Sequence, residues 1–465
     1  MQKDIIDVQH VIDQSRFSPF QWLTFILCFL IVLLDGFDTA AIGYIAPSLL
    51  QEWGLEKKDL APVLSAALFG LAAGALFAGP LADRFGRKLV LLVSVLLFGV
   101  FSLASAYAAN LHSLTALRFL TGVGLGAAMP NAVTLMSEFS PSQRRAMITN
   151  AMFCGFPLGA ALGGGLASLM IPQWGWRSVL MLGGVVPLVL VLVMLRYLPE
   201  SVRYLVAKGK PVERVRSILS RISPQVYSAK AFVLTEVTAE QGLPAQSGVQ
   251  VILSRRYLVG SVMLWLTYFM GLVIFYALIN WMPILFREAG LTPKTALLIS
   301  ALFPLGGVGA VFCGWLMDRF NADRTIAVCY ALTAVAVAAI GQMAHNVGLL
   351  VAVVFVAGTL MNTAQSSMPA LAAVFYPTAG RATGVAWMLG LGRFGGIAGS
   401  FLVAELARRH LDFSEIFVVI AFPALVATIA LLIKQFSAQA RARRDKQQAK
   451  VAMASDGAIE LTVRE

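Results

Sequence analysis

The stretch Gly79–Lys88 reads GPLADRFGRK, and Gly314–Arg324 reads GWLMDRFNADR. Each follows a long apolar run. Both contain Gly-x-Leu-x-Asp-Arg-Phe, with Asp83 and Asp318 at matched places 235 residues apart. A second pair agrees. Phe139–Ala146 reads FSPSQRRA and Phe375–Ala382 reads FYPTAGRA, with Phe, Pro, Arg and Ala matched at an offset of 236. Two separate loops whose offsets agree to within one residue mark an internal repeat, so the chain reads as two halves of common plan.

The material of those halves is apolar. Of 465 residues, 58% are hydrophobic and 13% charged, with a mean hydropathy of +0.78. A soluble domain carries about 25% charged residues. Apolar runs of roughly 20 residues recur, enough for a helix to cross about 30 Å of hydrocarbon. Twelve such spans are predicted. The first six cover 20–44, 60–81, 89–109, 113–137, 146–170 and 177–198. The second six cover 257–281, 295–317, 324–343, 347–371, 382–404 and 413–435. The organisation is a tail at 1–19, a six-helix half at 20–198, a polar linker at 199–256, a second half at 257–435, and a tail at 436–465 expected to be disordered. The N-terminal tail lacks the basic n-region and cleavage site of a signal peptide, so the first span is expected to be retained.

The net charge of +12 is topological rather than a nucleic-acid footprint. Arg84, Arg87 and Lys88 follow span two, Arg144 and Arg145 span four, Arg319 and Arg324 span eight, and Arg381 span ten. With the basic tail after Gln435, the positive-inside rule places both termini and the linker in the cytoplasm. The four cysteines, Cys28, Cys154, Cys313 and Cys329, fall in apolar segments without metal spacing, so neither a disulfide nor a metal site is expected. No Gly-x-x-x-x-Gly-Lys-Ser/Thr loop is present, which argues against an ATP-driven pump. No nucleophile–base pair suggests an enzyme.

Charges inside the spans are the candidate working parts. Asp35 and Asp38 sit three residues apart in LIVLLDGFDTAAIG, Leu30–Gly43, and share one side of a helix. A carboxylate in a span costs on the order of 3 kcal/mol, and such groups face a bundle interior or a wet cavity. A pair there suits proton carriage or substrate binding, although either residue could merely bond a neighbouring helix. Arg393, mid-span in LGLGRFGG, has the planar fork that grips a carboxylate in two places. It reads equally as a substrate anchor or as a static partner of a first-helix aspartate. Arg118, near the outer end of span four, reads as a conformational group that bonds helix one or senses the coupling charge. Glu138, at the inner end, reads as a gate salt bridge. Asn131, Trp265, Tyr268, Tyr276, Asn280, Asn362, Gln365 and Trp387 are candidate pocket groups, since a small-molecule site needs an apolar slot and a few polar contacts.

These motifs resemble the major facilitator superfamily, in GPLADRFGRK, in RFLTGVGLG at Arg118–Gly126 and in LPESVRYL at Leu198–Leu205. DGFDTAAIGYIAPSL, Asp35–Leu49, is similar to the first helix of the aromatic acid:proton symporter family. The resemblance implies an all-α integral membrane fold of twelve helices in two six-helix halves. It also implies proton-coupled uptake of a small aromatic carboxylate, such as 4-hydroxybenzoate or protocatechuate, across the bacterial inner membrane by a monomer. Protons are the coupling ion, with no other cofactor. Functional roles then fall on Asp35, Asp38, Arg118 and Arg393, and gating on Asp83, Arg84, Gly86, Arg87, Lys88, Glu138, Asp318, Arg319 and Arg381. The second loop copy lacks the Gly-Arg-Lys ending of the first, a departure that bears only on its strength as a latch. A proton-driven exporter and a transporter-like receptor for aromatic acids stay open at this stage.

Overall fold

A computed structural model describes residues 5–234, 248–309, 321–343, 345–376 and 378–462. A short strand β1, Ile5–Asp7, leads into α1, Val8–Gln14. The first long helix, α2, spans Pro19–Trp53. Its start is written in the sequence: Ser18 and Gln21 form a reciprocal capping box, and Pro19 stands at the first helical position. Its apolar run lasts to Leu50, past the predicted end at 44, and the helix continues to Trp53, where Gly54 supplies a left-handed cap at φ 63°. At 1.5 Å per residue it is about 50 Å long and must extend beyond a bilayer core or tilt within it.

The first half continues with α3 (Lys57–Phe85), α4 (Arg87–Ser105), α5 (Leu111–Glu138), α6 (Arg145–Phe153), α7 (Gly155–Trp174) and α8 (Arg177–Tyr197). The α6 and α7 helices meet at Cys154 and together form the fifth span. The linker holds α9 (Val202–Ala207), α10 (Val212–Leu219), strand β2 (Ala231–Val233) and α11 (Gly248–Ile252). The second half contains α12 (Leu258–Glu288), α13 (Pro293–Leu305), α14 (Ala322–Ile340), α15 (Val347–Phe375), α16 (Thr378–Arg408) and α17 (Phe413–Thr462).

Eleven of the described helices are long and apolar enough to cross a membrane. The span predicted at 295–317 is described in part, as α13 followed by a 3-10 turn over Gly306–Gly309. Asp318, Arg319 and Cys313 lie outside the described residues. Asp83 and Arg381 lie within described helices, but their side chains lie outside the description.

Two local features differ from the sequence reading. The backbone after Gln435, expected to be disordered, continues α17 as helix to Thr462. SAQARARRDKQQAKVAMA is rich in Ala, Gln, Arg and Lys, which favour helix, and holds no Gly or Pro. The second is a two-stranded parallel sheet in an otherwise helical chain, with Ile5, Ile6 and Asp7 opposite Ala231, Phe232 and Val233. It ties the N-terminus to the linker. Gln21 Nε2 donates to the Phe139 carbonyl at 2.8 Å, and Asp13 accepts from the Ser142 backbone N–H at 2.7 Å, so the tail is also fastened to the loop after α5.

Among the described residues the halves meet most extensively where α2 packs on α12, α3 on α16, and α7 on α13. At the end remote from the termini, one buried core runs across both halves, from Ile42, Ile45 and Leu60 to Leu278, Met282 and Leu297. Lys57 Nζ and Glu288 Oε2 close that end with an ion pair at 2.6 Å. Gly43 matters there, because a Cβ would come 2.6 Å from the Ile279 carbonyl of the opposite half. Toward the termini, the first half has its own core of α1, the linker and helices α2, α4, α5 and α8. Of the second half's described residues, that core buries Ile397 alone.

Candidate functional site

The two first-helix carboxylates part company. Three residues on a helix differ by about 60° around the axis, enough to aim them at different neighbours. Asp38 turns into its own half. Arg118 of α5 donates from Nη1 to Asp38 Oδ1 at 2.9 Å and from Nη2 to Oδ2 at 2.8 Å. Arg118 Nη2 also reaches the Asp38 carbonyl at 3.0 Å, and Ser102 of α4 donates to Oδ1 at 2.9 Å. Arg118 is 0% and Asp38 1% exposed. This two-pronged, dry pair fastens α2 to α4 and α5. The partner of a first-helix aspartate is thus Arg118, and not Arg393, which the sequence offered as an alternative.

Asp35 is buried as well, but among the described residues it makes no ion pair. It accepts one long hydrogen bond from Thr39 Oγ1, at 3.3 Å. The charge that acts on it from the second half is Arg393 of α16. Arg393 is half-buried and, among the described residues, has no ion pair or side-chain hydrogen bond. Its field also reaches Tyr268 and Tyr276 of α12. A carboxylate, an unpaired guanidinium and two phenols therefore converge between the halves. The α16 glycines make this approach possible. A Cβ at Gly392 would overlap the Tyr268 ring, one at Gly395 the Phe269 carbonyl, and one at Gly396 would come 2.5 Å from the Tyr276 ring. Phe156 of α7 and Phe275 of α12 face each other across the halves, with ring centroids 6.2 Å apart.

Gln365 of α15 joins this cluster, since its Nε2 donates to the Tyr268 carbonyl at 3.3 Å. The other pocket candidates contact other groups. Asn131 bonds the Ala127 carbonyl of its own helix at 2.8 Å. Asn362 ties α15 to α13 through the Phe303 carbonyl at 2.9 Å, and Asn280 ties α12 to α16 through Ser400 Oγ at 2.9 Å. Trp265 and Trp387 pair with each other, centroids 5.6 Å apart.

The gating candidates gather at the terminal end of the first half. Arg87 Nε lies 3.6 Å from Glu138 Oε1, and Ser201 donates to Glu138. A residue missed in the sequence reading, Glu200, organises the group. Its Oε1 accepts from the backbone N–H of Arg87 at 2.8 Å, of Lys88 at 3.2 Å and of Ser201 at 2.8 Å. A carboxylate thereby caps the positive end of α4. Gly86 lies between α3 and α4 with φ 96°, and a Cβ there would overlap the Glu200 carboxylate. Lys88 Nζ caps the Leu195 carbonyl at 3.2 Å, whereas the Arg84 side chain is exposed over Phe85. The signal that could have found Glu200 was present: a Pro-Glu step directly after a span, in LPESVRYL.

At the matching end of the second half the charges are exchanged. The first turn of α14 carries Asp323 where the first copy has Lys88, at the repeat's offset of 235. Lys434, near the middle of α17, donates to Asp323 Oδ1 at 2.5 Å and stands 4.9 Å from the Phe375 ring centre. Lys434 is 4% exposed. The sequence that had lost Gly-Arg-Lys has gained a buried pair of opposite sense.

The sequence profile of the Major Facilitator Superfamily matches residues 28–340 and 290–461. The chain belongs to the Major Facilitator Superfamily. This superfamily member is 52% identical to the 4-hydroxybenzoate transporter PcaK of Pseudomonas aeruginosa, over 92% of this chain and 96% of that protein. It is 45% identical to a gallate transporter of Pseudomonas putida, over 92% and 94%. A solved structure of the xylose transporter XylE from E. coli superposes with a TM-score of 0.71 at 18% identity, over 89% of this chain and 97% of that one, and shares the fold. The expected architecture of two six-helix halves is therefore the one observed, in a multi-pass membrane transporter family.

Proposed function

We propose that the protein imports a small aromatic carboxylate together with protons across the bacterial inner membrane, by alternating access, with both termini in the cytoplasm. 4-Hydroxybenzoate and protocatechuate are the leading substrates. The observation that carries this reading is the 52% identity, over nearly the whole chain, to a protein named for 4-hydroxybenzoate transport. The gallate transporter at 45% supports a ring bearing hydroxyls as well as a carboxylate. The site chemistry is consistent with it. Arg393 is a free fork for the substrate carboxylate, with Tyr268 and Tyr276 as its amphipathic walls.

In this scheme Asp35 is the proton carrier and Asp38 is not. Asp38 is already neutralised by Arg118, whereas Asp35 faces Arg393 without a direct partner. Substrate carboxylate held at Arg393 and a proton held on Asp35 cross together in one cycle. The closed core remote from the termini corresponds to an inward-facing state, with Glu138, Arg87 and Glu200 at the open side. The protein acts as a transporter without catalysing a covalent step, and a monomer suffices for the cycle.

The test is uptake of labelled 4-hydroxybenzoate into proteoliposomes under an imposed inward proton gradient. Accumulation above the external concentration, abolished by an uncoupler, is expected. Absence of uptake across a panel of aromatic acids, by protein that is folded, would overturn the reading and favour an exporter or a receptor.

A further inference from the structure

Tyr330 played no part in the sequence reading. It lies mid-way along α14 in AVCYALTAV, among buried Ile326, Ala327, Ala334 and Val337, and is itself 0% exposed. It resembles any core aromatic. Its hydroxyl, however, donates to Gln365 Oε1 at 2.6 Å. The described hydroxyls of Thr325 and Thr333 on the same helix turn back on α14 itself, to the Asn321 and Cys329 carbonyls. Tyr330 alone among these three reaches another helix.

That bond fixes which end of the amide points where. A buried phenol must place its proton, and the amide oxygen is the acceptor on offer. With the carbonyl end held by Tyr330, the amino end of Gln365 is turned to α12. One of its N–H groups meets the Tyr268 carbonyl at 3.3 Å. Space for the pair is provided by Gly271 of α12. A Cβ there would overlap both Gln365 Oε1 and the Tyr330 hydroxyl. Three helices thus cooperate to hold one amide in one orientation, beside the tyrosines that stand in the field of Arg393.

We propose that Tyr330 is a positioning residue: through Gln365 it presents a fixed neutral donor to a ring hydroxyl of the bound acid, and so sets the preference for hydroxylated over unsubstituted benzoates. This rests on the uptake of aromatic carboxylates argued above. Arg393 suits the charged end of such a ligand, and a neutral amide suits its neutral hydroxyl. A site built to hydrogen-bond a hydroxyl discriminates against the analogue that lacks it, because a buried polar group is then left unpaired.

The experiment compares unlabelled 4-hydroxybenzoate and benzoate as competitors of labelled 4-hydroxybenzoate uptake. Wild type, Tyr330→Phe, Gln365→Leu and Gly271→Ala are measured, each checked for monodispersity and thermal stability. Tyr330→Phe removes only the hydroxyl, and Gly271→Ala displaces the amide without touching either partner chemically. The ratio of the two inhibitory concentrations is expected to shrink by about three- to tenfold in all three variants, the worth of one hydrogen bond. A structural role alone would lower the amount of active protein and leave that ratio unchanged. A wild-type ratio in Tyr330→Phe and Gly271→Ala would overturn the inference while sparing the function. Wild type that takes up no 4-hydroxybenzoate would overturn both.

Discussion

Arg118 and Asp38 form a bidentate ion pair with no solvent contact, and three residues away Asp35 has none. Two carboxylates that look equivalent in DGFDT are thus assigned different work by the helices around them. Asp38 belongs to the scaffold of the first half. Asp35 belongs to the space between halves.

This division predicts unlike mutants. Arg118→Ala leaves a buried, unpaired carboxylate and should destabilise the protein by about 3–5 kcal/mol. Asp38→Asn leaves the arginine unpaired and should destabilise it comparably. Asp35→Asn removes no ion pair, so its thermal unfolding in detergent should stay near wild type while concentrative uptake is lost. Equal destabilisation by the two aspartate variants would contradict the division.

The exchanged pair at Asp323 and Lys434 predicts an asymmetry of its own. Asp323→Ala strands a lysine that is 4% exposed and should destabilise by about 3 kcal/mol or more. Replacing both, with Asp323→Leu and Lys434→Met, should recover most of that loss, because a packed apolar pair of similar volume avoids the desolvation cost. A double variant that unfolds as readily as the single would show that the pair does more than neutralise charge.

Glu200 accepts from three backbone N–H groups, and the α4 terminus depends on it. Glu200→Ala should cost about 1–2 kcal/mol, the range of a lost helix cap. Gly86→Ala should be worse, since it combines the φ of 96° with an overlap on the Glu200 carboxylate. Amide hydrogen exchange at the first turn of α4 reads both effects, and protection unchanged by Glu200→Ala would remove it from this role.

The glycines of α7 supply an internal control. A Cβ at Gly159 would overlap the Leu33 carbonyl of α2, whereas nothing lies within 4 Å of a Cβ at Gly165. Gly159→Ala should therefore abolish or sharply reduce folded protein, and Gly165→Ala should be tolerated. Yield of monodisperse protein distinguishes them.

Much of the fold was legible because it was written twice: Asp83 and Asp318 share a motif, a spacing and a flanking apolar run. The paired aspartates and Arg393 were legible because charge inside a span has few explanations. What stayed hidden was pairing. Nothing in DGFDT says that Asp38 turns to Arg118 and Asp35 to Arg393, since that depends on a 60° difference in aim read against three other helices. The partners of the asparagines were hidden for a related reason. Asn131, Asn280 and Asn362 find backbone or hydroxyl partners nearby, and a buried amide that satisfies its own helix has the same sequence signature as one that meets a ligand. Tyr330 was invisible because a tyrosine in an apolar helix differs from a core phenylalanine by one oxygen.

The most direct measurement is proton movement itself. Wild type and Asp35→Asn would be reconstituted with a pH-sensitive dye inside the vesicles, and 4-hydroxybenzoate added outside without an imposed gradient. Wild type should acidify the interior as the acid enters. Asp35→Asn should give no acidification, yet still exchange labelled for unlabelled substrate across the membrane. Acidification that persists in Asp35→Asn, coupled to substrate as in wild type, would contradict the assignment of the proton to Asp35.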